Sequence, residues 1–194
     1  MKKHMVALVG ASLVAAMPLI ANAGVDNPEG GYVSVNLQGV FPEDSSGVSG
    51  GSPASFDFDT GAGIGIAGGY AMPNHFRIEG EFTYRQNDVD ITTAGGTNGD
   101  ALYSTAYMVN LLYDVDTNSP ITPYLGGGLG IANLGGDDTG FAYQAMAGLG
   151  YHLTQQHEVY AGYRYFGSDS LEDEPRKNLD YSTHNVEVGY RFHF

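Results

Sequence analysis

Along residues 184–194 a large apolar side chain occupies every second position. Val186, Val188, Tyr190, Phe192 and Phe194 share one face of an extended segment, and Asn185, Glu187, Gly189, Arg191 and His193 share the other. A period of two with bulky groups on one side marks a β-strand. Seven earlier segments repeat the pattern. Residues 31–41 set Val33, Val35, Leu37 and Phe41 against Ser34, Asn36 and Gln38. Residues 58–72 set Ala62, Ile64, Ile66 and Tyr70 against a face that is almost all glycine. Residues 76–87 set Phe76, Ile78, Phe82 and Tyr84 against Arg77, Glu79, Glu81, Thr83 and Arg85. The remaining segments span 101–114, 121–132, 141–153 and 157–166, with Tyr107, Leu129, Leu149 and Tyr163 among their apolar members.

The connections between these segments alternate in length. Residues 72–75, 115–120 and 154–156 make short links. Residues 42–57, 88–100, 133–140 and 167–182 make longer ones rich in Gly, Ser, Asp and Asn. Every long link then falls at one end. An even number of strands joined in this way predicts an all-β fold, an eight-stranded up-and-down antiparallel transmembrane β-barrel with both termini periplasmic and four acidic, Gly/Ser-rich external loops. Charge placement points the same way. Arg77, Arg85, Arg164 and Arg191 fall on the polar faces with Glu79, Glu81, Glu158 and Glu187, while the apolar faces carry almost no charge. A soluble sandwich would pack its apolar face inside and scatter charges outside.

In a barrel of eight strands the interior is only just wide enough for side chains. The eight charges are therefore expected to pair in a packed network, because an unpaired buried charge is costly. Glycines 61, 63, 65, 126, 128 and 130 are expected to make room for the large Arg and Glu side chains opposite. Aromatic residues gather toward both segment ends, as interfacial girdles require. Tyr70, Phe76, Tyr113, Tyr151, Tyr190 and Phe192 mark one rim, and Tyr84, Tyr103, Tyr143 and Tyr165 the other.

The N-terminus reads as a targeting segment. Lys2 and Lys3 precede an apolar run over residues 6–20, and Ala21-Asn22-Ala23 offers a small-residue cleavage site. Residues 1–23 are thus expected to be a cleaved secretory signal peptide and residues 24–194 a single barrel domain. Beyond that run no stretch of 18 apolar residues suggests a transmembrane helix. Cysteine is absent, which removes disulfides, thiolate metal sites and thiol nucleophiles. The 194 residues hold 22 acids against 8 Lys and Arg, a formal net charge of −14, so nucleic acid is not an expected partner.

Certain stretches carry a family resemblance. These are Tyr107-Met108-Val109-Asn110-Leu111-Leu112-Tyr113-Asp114, Thr122-Pro123-Tyr124-Leu125-Gly126-Gly127-Gly128-Leu129-Gly130, Tyr163-Arg164-Tyr165 and the final Val188 to Phe194. They resemble the eight-stranded bacterial outer-membrane β-barrels, a group that includes opacity-type surface proteins and the transmembrane domain of outer membrane protein A. The resemblance implies residence in the cell outer membrane, contact with its lipids and lipopolysaccharide, and delivery by the outer-membrane assembly machinery, which would read a last strand ending in Phe194. It is poor for function, since such barrels include structural proteins, adhesins and small-solute channels.

Few residues suggest chemistry. Gly126-Gly127-Gly128-Leu129-Gly130 superficially resembles a phosphate loop but lacks the Gly-Lys-Ser/Thr and helix that such a loop needs. Ser182 and His184 would share a face near the outer rim, with Asp180 the nearest acid to orient the imidazole. His152 and His193 would face the lumen, where two imidazoles can hold a metal or be satisfied by neighbouring Glu and Tyr. Asp169, Glu172, Asp173 and Glu174 crowd one external loop and could recruit a divalent cation bridging to lipopolysaccharide phosphates. No catalytic, cofactor or metal residue is assigned from these signals. The expectation is a non-enzymatic structural or surface-interaction protein of the outer membrane, with an extracellular ligand for its loops left open. A small-solute porin is the alternative, and a lipid-modifying enzyme a minor one.

Overall fold

The computed structural model describes residues 28–43, 45–49, 52–58, 60–93, 96–134, 138–170 and 181–194. The expected signal peptide, Asp180 and Glu172 to Glu174 lie outside the described residues. Eight long strands form the wall: β1 (Gly30–Pro42), β4 (Gly61–Ala71), β5 (Phe76–Thr93), β6 (Gly96–Asp114), β7 (Ile121–Leu134), β8 (Asp138–His152), β9 (His157–Ser170) and β10 (Tyr181–His193). Two short strands, β2 (Ser45–Ser49) and β3 (Ser52–Phe58), fall between β1 and β4.

Each long strand pairs antiparallel with its neighbours, in the order β5-β4-β1-β10-β9-β8-β7-β6, and β5 pairs in turn with β6. The sheet therefore closes on itself and the wall has no free edge. The first and last long strands join in register from Tyr32 opposite His193 to Pro42 opposite Thr183. Short turns and the chain's C-terminus share one end. Asn118 and His75 take positive φ there, 52° and 66°, and His75 N donates to Met72 O at 3.1 Å.

Burial runs inside out. Val33, Leu37, Ile66, Val109, Leu129 and Val186 point outward and are at least half exposed, whereas Arg77, Arg85, Arg164 and Arg191 are almost wholly buried. Only a solvent of lipid makes that arrangement stable, so the closed sheet is a transmembrane barrel in which every wall hydrogen bond is satisfied by a neighbouring strand.

Two expectations change. The links over 42–57 and 88–100 are not simply loops: β2 and β3 form a hairpin, and β3 continues the wall by pairing with upper β5 from Phe58 opposite Val89 to Ser55 opposite Thr92. Strands β5 and β6 themselves run on to Thr93 and Gly96, so Asp88 and Asp90 sit on a strand. Gly and Ser lower strand propensity, but continued pairing along an already ordered neighbour overrides it. The glycines also serve other side chains than expected. A Cβ at Gly65 would strike Asn36, at Gly128 Asn110, at Gly130 Met108, at Gly126 Leu112 and at Gly61 Asn87; only Gly63 lies under an arginine, Arg85. Space for aromatics is equally important. A Cβ at Gly148 or Gly162 would lie 2.5 Å from the Tyr124 hydroxyl, so this lumenal ring is seated on two glycines of the neighbouring wall.

Candidate functional site in the barrel lumen

Period-two alternation sends Arg77, Glu79, Glu81 and Arg85 inward from β5 and brings Glu158 and Arg164 of β9 and Glu187 and Arg191 of β10 to meet them. All eight are buried, as the alternation requires, and Asp114 of β6 joins them. In the closed order β5 and β9 stand four strands apart in either direction, so they face each other across the barrel.

At mid-height Arg164 Nη1 reaches Glu81 Oε1 and Oε2 at 2.6 and 2.7 Å, a contact that crosses the full lumen. Its Nη2 lies 2.9 Å from Glu187 Oε2, an ion pair by distance although the N–H is not well directed. Neutral amides fill the remaining acceptor sites. Asn110 Nδ2 donates to Glu79 Oε1 and Glu81 Oε2 at 3.0 and 2.9 Å, Gln144 Nε2 donates to Glu81 Oε2 at 3.0 Å, and the Tyr32 hydroxyl donates to Glu79 Oε2 at 3.0 Å. Satisfying the lone pairs in this way is what lets a buried ion pair persist.

Nearer the end with the long connections, Arg85 stacks on Phe166 of the opposite strand with 4.2 Å from the guanidinium carbon to the ring centroid. Its Nε donates to Gln38 Oε1 at 3.1 Å, and its two terminal nitrogens make no hydrogen bond among the described residues. The expectation that each arginine pairs with an acid therefore does not hold for Arg85. The aromatic face takes part of the role of a counterion. Met108, Ala106, Ala132, Ala142, Phe166 and Tyr181 pack together beside it.

At the end with the short turns, Arg77 Nε lies 2.8 Å from Asp114 Oδ2, close in charge but poorly aligned. Arg191 Nη1 donates to Glu158 Oε1 at 2.5 Å and stacks between Tyr32 and Tyr160, 5.1 and 4.7 Å from their centroids. His152 and His193 both face this part of the lumen, as the sequence pattern predicts. His193 Nε2 lies 3.0 Å from Glu158 Oε2.

The Ser182–His184 pair, at the end with the long connections, behaves differently from a catalytic dyad. Ser182 Oγ donates to Glu43 Oε2 at 2.5 Å, and His184 Nε2 lies 3.0 Å from Glu43 Oε1. One carboxylate thus holds both side chains, and the hydroxyl points to the acid and not to the imidazole. Nδ1 of His184 meets the Tyr163 hydroxyl. The hydroxyl of Ser182, then His184, hold the Glu43 carboxyl below its ordinary range. Among the described residues the acid partner is Glu43. Sequence reading missed it because Glu43 meets Ser182 only through closure of β1 on β10, where Glu43 N also donates to Ser182 O at 3.0 Å.

Comparison with known proteins places this architecture. The chain is 30% identical over 223 residues to an outer membrane protein of Gluconacetobacter diazotrophicus, an alignment covering 96% of this chain and 58% of that relative. It thus spans little more than half of that relative's length. Among solved structures, Neisserial surface protein A aligns with a TM-score of 0.62 at 23% identity, over 84% of this chain and 97% of the other. OprG from Pseudomonas aeruginosa aligns with a TM-score of 0.64 at 15% identity, over 88% and 99%. These likenesses show the fold, and they do not single out the opacity-type proteins or the outer membrane protein A domain. The profile of the outer membrane protein beta-barrel domain matches residues 6–192, and the chain belongs to that family.

Proposed function

We propose that this protein is a non-enzymatic structural or surface-interaction protein of the bacterial outer membrane. The observation that carries the reading is the Arg164–Glu81 pair, which joins opposite walls at mid-lumen. With Gln144 and Asn110 bonded into the same pair, a solute passing at that height would have to break several buried polar contacts at once. That favours a barrel used as a rigid anchor, with function at its ends. In this reading the short turns and C-terminus face the periplasm, and the β2–β3 hairpin, the β5–β6 tip and the acidic connections face outward. Lipopolysaccharide, divalent cations at the acidic stretch from Asp169 to Glu174, and an extracellular ligand are the partners proposed for that outer end. Phe194, at the end of an alternating last strand, is proposed as the contact read by the outer-membrane assembly machinery. Mature protein is proposed to begin at Gly24.

Planar-bilayer recording combined with exchange of the outward connections tests this. The expected result is no large steady conductance, and loss of cell-surface or matrix binding on exchange with membrane insertion retained. Steady conductance in the unaltered protein, with solute uptake restored by the exchanged protein in cells lacking the original, overturns it in favour of a small-solute porin.

A further inference from the structure

Two histidines and a carboxylate meet at the short-turn end of the lumen and are not explained by the cross-lumen network. His152 closes β8, Glu158, the second residue of β9, lies directly opposite it, and His193 closes β10. Three adjacent strands therefore deliver their ends to one place, on the inward face. The three side chains are buried, and their candidate ligand atoms all lie within 4.8 Å of one another. Two histidines with one carboxylate form the protein ligand set of one class of open, four-coordinate zinc centres.

An independent observation separates this cluster from a plain hydrogen-bonded one. Nδ1 of His152 makes no hydrogen bond among the described residues, although the residue is only 5% exposed. Buried imidazole nitrogens are seldom left without a partner. A lone pair aimed at an ion supplies one. Glu158 is already oriented for such a role: Oε1 accepts from Arg191 while Oε2 lies 3.0 Å from His193 Nε2. Two ligands on a tetrahedral ion at zinc-like bond lengths stand roughly 3.3 Å apart, so this pair needs little movement and His152 must approach by a rotamer adjustment. Arg191 then acts as the outer partner that fixes the carboxylate.

Charge around the cluster is mixed. Arg191 and Arg77 oppose a divalent ion, while Asp114 favours it, lies within electrostatic reach of His152 and has an Oδ1 without a partner. Imidazole donors select zinc, nickel or copper over magnesium or calcium. We infer that His152, Glu158 and His193 form a divalent transition-metal site, zinc-like in its ligand preference, at the short-turn end of the barrel. The inference does not depend on whether the barrel conducts solutes.

The test uses the full mature protein refolded in detergent and stripped with chelator, titrated with zinc chloride by calorimetry. One ion per chain is expected, with no uptake of magnesium. Loss of a direct ligand should exceed the loss seen for outer partners, so His152→Ala and His193→Ala should each weaken binding by about 100-fold or more. His75→Ala and His157→Ala, at the same end but outside the cluster, should leave it unchanged. Zinc should raise the melting temperature of the unaltered protein and not that of His152→Ala. Equal uptake by the unaltered protein and the His152→Ala/His193→Ala double variant overturns the site, as does uptake lost with His75 or His157 instead. If the double variant does not refold, X-ray absorption of the zinc-loaded unaltered protein decides. Two imidazole nitrogens and a carboxylate oxygen support the site; a shell of water alone, or no bound zinc, rejects it.

Discussion

Arg164 concentrates the residue-scale energetics. It is fully enclosed, and three of its contacts come from three other strands: Glu81 on β5, Gln144 on β8 and Glu187 on β10. Arg164→Ala would leave Glu81 and Glu187 buried without their cation, and removal of one partner of a buried pair costs about 3–5 kcal/mol. Urea titration of the refolded protein in micelles is the measurement; a loss below about 1 kcal/mol would mean that water reaches the pair. Arg164→Lys should fall between, because lysine keeps the charge but cannot span both carboxylates with a planar fork. Alternation alone identified eight of the nine charged members; Asp114, the partner of Arg77, was not expected in the network. Alternation did not reveal Asn110, Gln144 and Tyr32 as their hydrogen-bonding partners, since those meetings occur between different strands, among residues up to 63 positions apart.

At the scale of elements, strand identity and facing followed from the period of two, while strand length did not. Segment 76–87 becomes Phe76–Thr93, and segment 101–114 becomes Gly96–Asp114. The added residues pair with one another to the tip, so the connection between them is a continued hairpin. Local composition marks Gly, Ser and Asp as loop formers, yet a strand already held at its base can lengthen at low entropic cost. Among the described residues the β2–β3 hairpin pairs with the wall only at upper β5, whereas β1 and β4 pair directly from Gly30 opposite Ala71 to Val40 opposite Gly61. Replacing residues 45–58 with a short turn should therefore leave the barrel intact, seen as an unchanged shift in gel mobility between unheated and boiled samples. Loss of that shift would show the hairpin to be part of the folding unit.

For the whole molecule, the absence of native cysteine makes orientation directly measurable. Thr97→Cys places a thiol at the β5–β6 tip, and Asn118→Cys places one in the short turn between β6 and β7. In intact cells a membrane-impermeant maleimide should label the first and spare the second, with both labelled after lysis. The reverse pattern would invert the proposed topology. Mass spectrometry of the purified protein should find its first residue at Gly24; an intact N-terminus would remove the signal-peptide assignment.

The sequence by itself determined the class, the number of wall strands and the face on which each wall side chain lies. Alternation is a local property, and a strand cannot change it without turning every side chain to the other face. It also determined that charges would lie inside and bare aliphatic groups outside. Which charges would meet was decided only by tertiary structure. Closure sets β5 opposite β9, joins β1 to β10, and so creates the Arg164–Glu81 bridge, the Glu43 clasp on Ser182 and His184, and the gathering of His152, Glu158 and His193. These contacts depend on the shear and radius of the closed sheet, quantities that no single strand carries in its own pattern.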